Sequence, residues 1–317
     1  MQYVQWDQKR LAELVTLWNE ELGNDFPMRT SLFEQNSFSD ENILHDASLI
    51  VENDRGEVIG FILTKVWQEK LNVKMDHELG WIQAILVKKS YRCKGIGSYL
   101  LRHAEAVLRK KQVKQIRLAG DVWHYFPGIP HIYEEVIAWA EKRGYEKRSD
   151  EYDLLATYHK EEPFFDIPDH MTFTLLREEE KADFLKFLNR SFPGRWEYEA
   201  IKYFEKGGKG REFLVLKSKG RMIGFCRIND HQSPFIAQNV YWQPLFSQPI
   251  GGIGPLGIDE NERGSGYGLA IVKAAINTLR KRHIETIVID WTSLIDFYNQ
   301  LGFYPWKGYG TYFKEID

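Results

Sequence analysis

Arg263-Gly264-Ser265-Gly266-Tyr267-Gly268 lies between an apolar run, residues 253–258, and a segment in which Leu269, Val272, Ala275, Ile276 and Leu279 recur at three- and four-residue steps. The run reads as a strand and the periodic segment as one face of a helix, so the hexamer is the turn between them. Alternate glycines permit positive φ and keep side chains away from the backbone amides. The helix adds its unpaired first-turn N–H groups and the positive end of its dipole. A turn of this kind predicts an anion site, most simply for a phosphate or pyrophosphate.

One such hexamer is a weak signal, and what strengthens it is a second copy. Arg92-Cys93-Lys94-Gly95-Ile96-Gly97 also follows an apolar run, residues 81–87, and opens a helical pattern of Leu100, Leu101, Ala104, Val107 and Leu108. Val87 stands five positions before Arg92, as Ile258 does before Arg263, and Gly95 and Gly266 are 171 residues apart. Upstream, Gly56-Glu57-Val58-Ile59-Gly60-Phe61 is echoed 164 residues later by Gly220-Arg221-Met222-Ile223-Gly224-Phe225. Two offsets in one order indicate a duplicated domain, not a short solenoid repeat.

The elements around each copy follow the same sequence. Residues 7–22 and 26–36 read as helices, 47–52 and 58–66 as strands joined at a turn, 113–118 as a strand, 133–142 as a helix ended by Gly144, and 152–158 as a closing strand. The second half offers a helix at 181–188, strands at 212–216, 222–228 and 286–290, a short helix at 293–300 ended by Gly302, and a last strand at 309–314. Pro163, Pro168 and four acids in 159–170 mark the joint. The expected domains are therefore 1–160 and 171–317, with a linker at 161–170.

Composition bounds the function. The 317 residues are 43% hydrophobic and 27% charged, enough for two cores of ordinary size. A formal net charge of −3 lacks the basic footprint of a nucleic-acid binder. Cys93 and Cys226, the only cysteines, form neither a disulfide framework nor a zinc site. No metal is expected; His124 and His131 are read as lacking an acidic or thiol partner that would complete a metal site. The N-terminus lacks a signal-peptide pattern and no apolar run reaches about 18 residues, so a cytoplasmic, membrane-free protein is expected.

Aliphatic-x-x-x-x-Arg-x-x-Gly-x-Gly between strand and helix resembles the acetyl-CoA pyrophosphate motif of the GNAT family of N-acetyltransferases. A dinucleotide-binding turn would instead read Gly-x-Gly-x-x-Gly, with an acid about 20 residues on. The resemblance covers nearly the whole chain, in tandem. It implies an α/β fold with a mixed, mostly antiparallel twisted sheet and helices on both faces, twice over. It also implies that Ile258, Arg263, Gly264, Ser265, Gly266, Tyr267, Gly268 and Leu269 hold acetyl-CoA, with Arg92, Gly95, Ile96, Gly97 and Ser98 as a second such set.

In that family the acid that protonates the departing thiolate is typically the tyrosine of a Phe-Tyr-x-x-x-Gly-Phe segment. Here that segment is Phe297-Tyr298-Asn299-Gln300-Leu301-Gly302-Phe303, whereas the first half has Trp139-Ala140-Glu141-Lys142-Arg143-Gly144-Tyr145. The resemblance thus makes Tyr298 the acid and the C-terminal half the catalytic one. An alkyl ammonium, with a pKa near 10, must lose its proton before attack. Asp290, in Asp290-Trp291-Thr292 where the family's central strands part, is the leading candidate base; Asp259 and Glu260 are weaker ones. The family often places a carboxylate on the fourth strand, but residues 251–258 carry none, which leaves a water relay open.

Gly144 and Gly302 are 158 residues apart against 171 for the glycine turns, so the first half is longer here by 13. The extra loop is aromatic and stiffened by Pro127 and Pro130. Its Trp123, Tyr125 and Phe126 are expected to reach the acceptor pocket beside Trp291, with plain packing as the alternative. The loop and the Asp290-Trp291-Thr292 and Phe297–Phe303 motifs also resemble two-domain glucosamine N-acetyltransferases, while mycothiol synthases share the layout for another amine. The resemblance implies acetyl transfer to a primary amine of a small molecule, plausibly an amino sugar. A protein or aminoglycoside acceptor, or a non-catalytic acetyl-CoA sensor, are the alternatives. Oligomeric state stays open.

Overall fold

The computed structural model describes residues 1–316. In chain order the first half forms β1 (Gln2–Gln5), α1 (Leu11–Leu22), α2 (Thr30–Asn36), β2 (Leu49–Glu52), β3 (Val58–Val66), β4 (Leu79–Val87), α3 (Ile96–Lys110), β5 (Gln115–Leu118), β6 (Ile129–Pro130), α4 (Glu134–Glu141) and β7 (Glu146–Thr157). The second half forms β8 (Phe173–Leu175), α5 (Lys181–Ser191), α6 (Arg195–Glu205), β9 (Phe213–Ser218), β10 (Arg221–Asn229), β11 (Ile250–Ile258), α7 (Tyr267–Lys281), β12 (Thr286–Thr292), α8 (Ile295–Asn299) and β13 (Tyr304–Glu315). The strand–turn–helix reading around both glycine hexamers matches this order. Four elements went unread: β1, β6, β8 and, with most consequence, α6.

The chain forms two compact units that do not coincide with the sequence halves. One contains Met1–Leu71, Asp76–Glu151 and the chain from Gly308; the other contains Asn72–Met75 and Tyr152–Lys307. In the first unit the strand order is β1-β2-β3-β4-β5-β13, with β6 paired to β13. In the second it is β7-β12-β11-β10-β9-β8. Each unit is thus completed by the other half's last strand: Tyr312 pairs with Leu118 of β5, and Leu155 pairs with Val288 of β12. The β4–β5 and β11–β12 pairs are parallel and the others are antiparallel, giving the mixed, mostly antiparallel sheets that were expected.

Alternation within the strands sorts residues to two faces of each sheet. In the second unit, Ile271, Val272, Ala275, Ile276 and Leu279 of α7 pack with Cys226, Ile228, Ile253, Ile287 and Ile289. The opposite face sets Val288 and Ile250 against Ala237 and Val240 of an irregular segment. Arg227, Asn229 and Asp290, one residue out of step with the α7-facing set, belong to that second face. In the first unit α3 buries Leu100, Leu101, Ala104 and Leu108 against Ile62, Ile82, Ile116 and Tyr312. No helix among the described residues is long and apolar enough to cross a membrane.

Candidate active site

The second unit's glycine turn is built around a fixed carboxylate. Asp259, 3% exposed at the end of β11, accepts from the Asn261 N–H at 3.2 Å, from Arg190 Nη2 at 3.2 Å and from Arg221 Nη2 at 2.9 Å. Burial alone would push its carboxyl up; the Asn261 amide and the two arginines more than reverse this and hold it down to about 2. A carboxylate so stabilised is a poor proton acceptor, and its partners make it a clamp on the turn. Arg263 folds back so that Nε donates to Ile258 O at 3.1 Å. Gly264 (φ 86°) and Gly266 (φ 76°) are left-handed, and a Cβ added at either would meet nothing within 4 Å. The space in front of these amides is open, and α7 begins at once with Tyr267, which brings unpaired first-turn N–H groups to the same place. An anion such as a pyrophosphate fits this cradle.

The first unit's turn has the same backbone course. Arg92 Nε donates to Val87 O at 2.9 Å, Gly95 (φ 83°) caps α3, and Cys93 (φ 59°) stands where the other turn has Gly264. Ser98 differs in its surroundings: its hydroxyl accepts from Arg143 Nη2 at 2.7 Å, and Trp139 lies 3.7 Å from the point a Cβ on Gly97 would occupy.

Next to the second turn the sheet splits. The β11–β12 ladder runs from Ile250↔Thr286 to Ile253↔Ile289 and stops, while β11 stays paired to β10 through Ile258. Asp290 is the first residue of β12 past the split, and its Oδ1 faces β11, 3.7 Å from the Cβ position of Gly254. Asn239 Nδ2 donates to the same oxygen at 3.0 Å. Burial pushes the Asp290 carboxyl up, Glu199 adds to this, and Arg195 and Asn239 pull it back, leaving it at about 6. That value suits a group that must accept a proton near neutral pH.

Tyr298, in α8, is 6% exposed. Its ring packs edge-on to Phe297 and Phe303, with centroids 4.9 and 6.1 Å away. Its hydroxyl takes no hydrogen bond among the described residues and is not sealed from solvent. Burial first, then Cys226 and Asp290, push the phenol well above its ordinary range, so it holds its proton. Asp290 and Tyr298 therefore act on one another electrostatically beside the split.

At the corresponding positions the first unit is empty of both groups. Ile82↔Leu118 and Ile253↔Ile289 are matching ladder pairs, so the residue following the first pair, Ala119, stands where Asp290 follows the second. Ala140 stands where Tyr298 does. On β3, Lys65 is 1% exposed and pairs with Asp40 and Asp121 at 2.6 and 2.7 Å.

The aromatic loop corrects the sequence reading. Trp123, Tyr125 and Phe126 are 5%, 2% and 8% exposed. Tyr125 stacks on Phe33 and meets Trp18 edge-on, and its hydroxyl donates to Phe33 O at 3.1 Å. Phe126 stacks on Trp18 and meets Phe26 edge-on. Rings enclosed in their own unit's core present no free face to an acceptor. His131, read as lacking an acidic partner, has Asp150 Oδ1 at 2.8 Å. Trp291 lies next to Asp290, with Arg195 over its ring at 4.4 Å. The sequence reading missed Asn239, Arg195 and Glu199. The latter two ride on the unread α6, whose apolar residues at helical spacing (Trp196, Ala200, Tyr203, Phe204) were the available signal.

Comparison with known proteins agrees with this architecture. A profile of the Acetyltransferase (GNAT) family matches residues 11–125 and again 176–303. A mycothiol acetyltransferase of Thermobispora bispora is 25% identical over 136 residues, 38% of this chain and 40% of that protein. Among solved structures, the glucosamine N-acetyltransferase region of a fungal multi-domain GH3 β-N-acetylglucosaminidase superposes with a TM-score of 0.86 at 23% identity. That match covers 98% of this chain and 38% of that one. A GNAT protein of Sphaerobacter thermophilus gives 0.72 at 15% identity over 99% and 95% of the two chains. A tandem GNAT protein of the clavulanic acid biosynthesis pathway gives 0.67 at 14% over 99% and 98%. The chain spans about 40% of the length of the first two of these relatives. Two family matches over more than half of its residues, each set on a strand–glycine-turn–helix unit, place this chain in the acetyltransferase (GNAT) family.

Proposed function

We propose that the second unit transfers an acetyl group from acetyl-CoA to a primary amine of a small molecule, an amino sugar such as glucosamine being the leading acceptor. One observation carries the catalytic reading: a carboxyl poised at about 6 and a protonated, unbonded phenol lie beside the opening where β11 and β12 part, next to an open anion-binding turn. Acetyl-CoA bound at that turn supplies the acetyl group and the thiolate that leaves. The Gly264–Leu269 amides hold the pyrophosphate. Asp290, directly or through one water, takes a proton from the acceptor ammonium and frees the nitrogen lone pair to attack. Tyr298 gives its proton to the sulfur as the C–S bond breaks. The nitrogen sheds a second proton, so one of the two it loses ends on the thiol, by way of Tyr298, and the other in solvent.

The amino-sugar acceptor rests on the likeness to the fungal glucosamine N-acetyltransferase region and on the motif resemblance; the mycothiol relative favours a different amine. A pure sensor has no use for Tyr298 and Asp290 at this place. The test is thiol release from acetyl-CoA with a panel of amines including glucosamine, an aminoglycoside and a lysine peptide. Turnover with glucosamine that drops by two or more orders of magnitude in Tyr298→Phe, with acetyl-CoA still bound, supports the reading. Full turnover in that variant removes the phenol from the mechanism.

A further inference from the structure

We propose that Asn239 is a positioning residue for Asp290, a neutral amide that aims the carboxylate into the β11–β12 opening and sets the pH at which it accepts a proton. This rests on the reading of Asp290 as the base. Asn239 is 3% exposed, in the short 3-10 turn Gln238–Val240. Its Nδ2 donates to Asp290 Oδ1 at 3.0 Å and to Gly254 O at 3.4 Å, and its Oδ1 accepts from Asn229 Nδ2 at 3.1 Å. The chemistry fixes the orientation of the amide. A carboxylate and a backbone carbonyl can only accept, so the NH2 end must face them, and Asn229 donates to the other end. One side chain therefore ties the tip of β12 to β11 and to β10.

The sequence of β11 supports the assignment. A Cβ on Gly252 would lie 1.9 Å from Asn239 Oδ1. Gly252 does not have positive φ, so its backbone makes no demand for glycine, and the space is needed by the amide. β11, which carries no carboxylate, instead leaves room for the residue that supports one on β12.

The charged and titratable groups facing Asp290 are Arg195 and Glu199 from α6, Arg227 from β10 and Tyr298 from α8. These set the background charge. Asn239 adds a donor to the ionised form without adding charge, so removing it favours the protonated acid.

The experiment is the pH profile of kcat/KM from pH 4.5 to 9 for the parent, Asn239→Ala, Asn239→Asp and Gly252→Ala, with thermal melts to confirm folding. In Asn239→Ala the acid limb moves up by on the order of one pH unit. In the near-isosteric Asn239→Asp a second carboxylate moves it further. Gly252→Ala alone reproduces the upward move, because its methyl would stand 1.9 Å from the amide oxygen and 2.7 Å from the Cβ of Asn239 and so displaces that side chain. KM for acetyl-CoA stays within about twofold throughout, which general unfolding of the site would not allow. An acid limb that stays put in folded Asn239→Asp overturns the proposal, as does one that stays put in folded Gly252→Ala. Asp290→Asn separates the two readings: if it keeps both the rate and the acid limb, Asp290 is not the base, and the failure lies there and not with Asn239.

Discussion

Asp290 combines two tendencies that compete within one side chain. Burial makes its charged form costly, yet the proposed reaction needs that form. The consequence for stability has a definite sign. A carboxyl held at about 6 when folded and near 4 when unfolded binds its proton more tightly in the folded state. Its destabilising effect is absent below pH 4, grows as pH rises to 6 and is complete above. Asp290→Asn should therefore be more stable than the parent at pH 7 by about 1–2 kcal/mol, the partial exposure of the residue keeping the figure below the unscreened limit. At pH 4 the two should melt alike. Paired thermal melts at the two pH values check this, and an equal gap at both would show that the carboxyl is not held in this way. The same profile predicts that acetylation by the parent rises through pH 6, while Tyr298 contributes no titration in the accessible range because its proton is held so firmly.

At the scale of single elements, the turn between β11 and α7 was legible because its demands are local: positive φ, bare amides and a helix start leave a sequence trace. Gly266→Val should disturb it in two ways. The left-handed backbone costs a branched residue about 1–2 kcal/mol, and the side chain stands in front of the amides. Calorimetry should show CoA binding weakened at least tenfold. If Gly95→Val weakens it instead, the first unit's turn is the cofactor site. Asp259 makes a second prediction of opposite sign to Asp290. Held down to about 2, it contributes stability that is complete above pH 4 and is lost as pH falls toward 2. Asp259→Asn should cost about 1–2 kcal/mol at pH 7 and little at pH 2.5, read by denaturant melts, since the half-exposed arginines are partly screened. What the sequence hid at this scale was α6 and the 3-10 turn bearing Asn239. The latter has no periodicity to read, because its residues are fixed by a contact with Gly252 and not by a repeating face. The aromatic loop misled for the opposite reason: its composition suits a binding surface and a core equally well.

At the scale of the whole chain, the duplication was legible from its two offsets, and so was the loss of the phenol position to Ala140. The matching loss of Asp290 to Ala119, at the same 171-residue offset as the glycine turns, is fixed by ladder register. The joint between the halves is itself held down. Arg280 of α7 donates to His159 O, Glu162 O and Pro163 O at 3.0, 2.6 and 2.8 Å, and Asn277 bonds both the N–H and the carbonyl of Phe165 at 3.0 and 2.8 Å. Residues 159–165 thus run as a strap over α7 and not as a slack tether.

The traded closing strands carry a consequence for anyone who would dissect this protein. A gene divided at codon 160 gives one product in which β5 has lost β13 and another in which β12 has lost β7. Each would expose a raw sheet margin with a row of unanswered amides and carbonyls, a surface that invites aggregation. The products made separately should be recovered in inclusion bodies, and made together in one cell they should rescue one another and co-purify. A soluble, folded product from either fragment alone would mean that its own last strand can turn back and serve in place of the borrowed one.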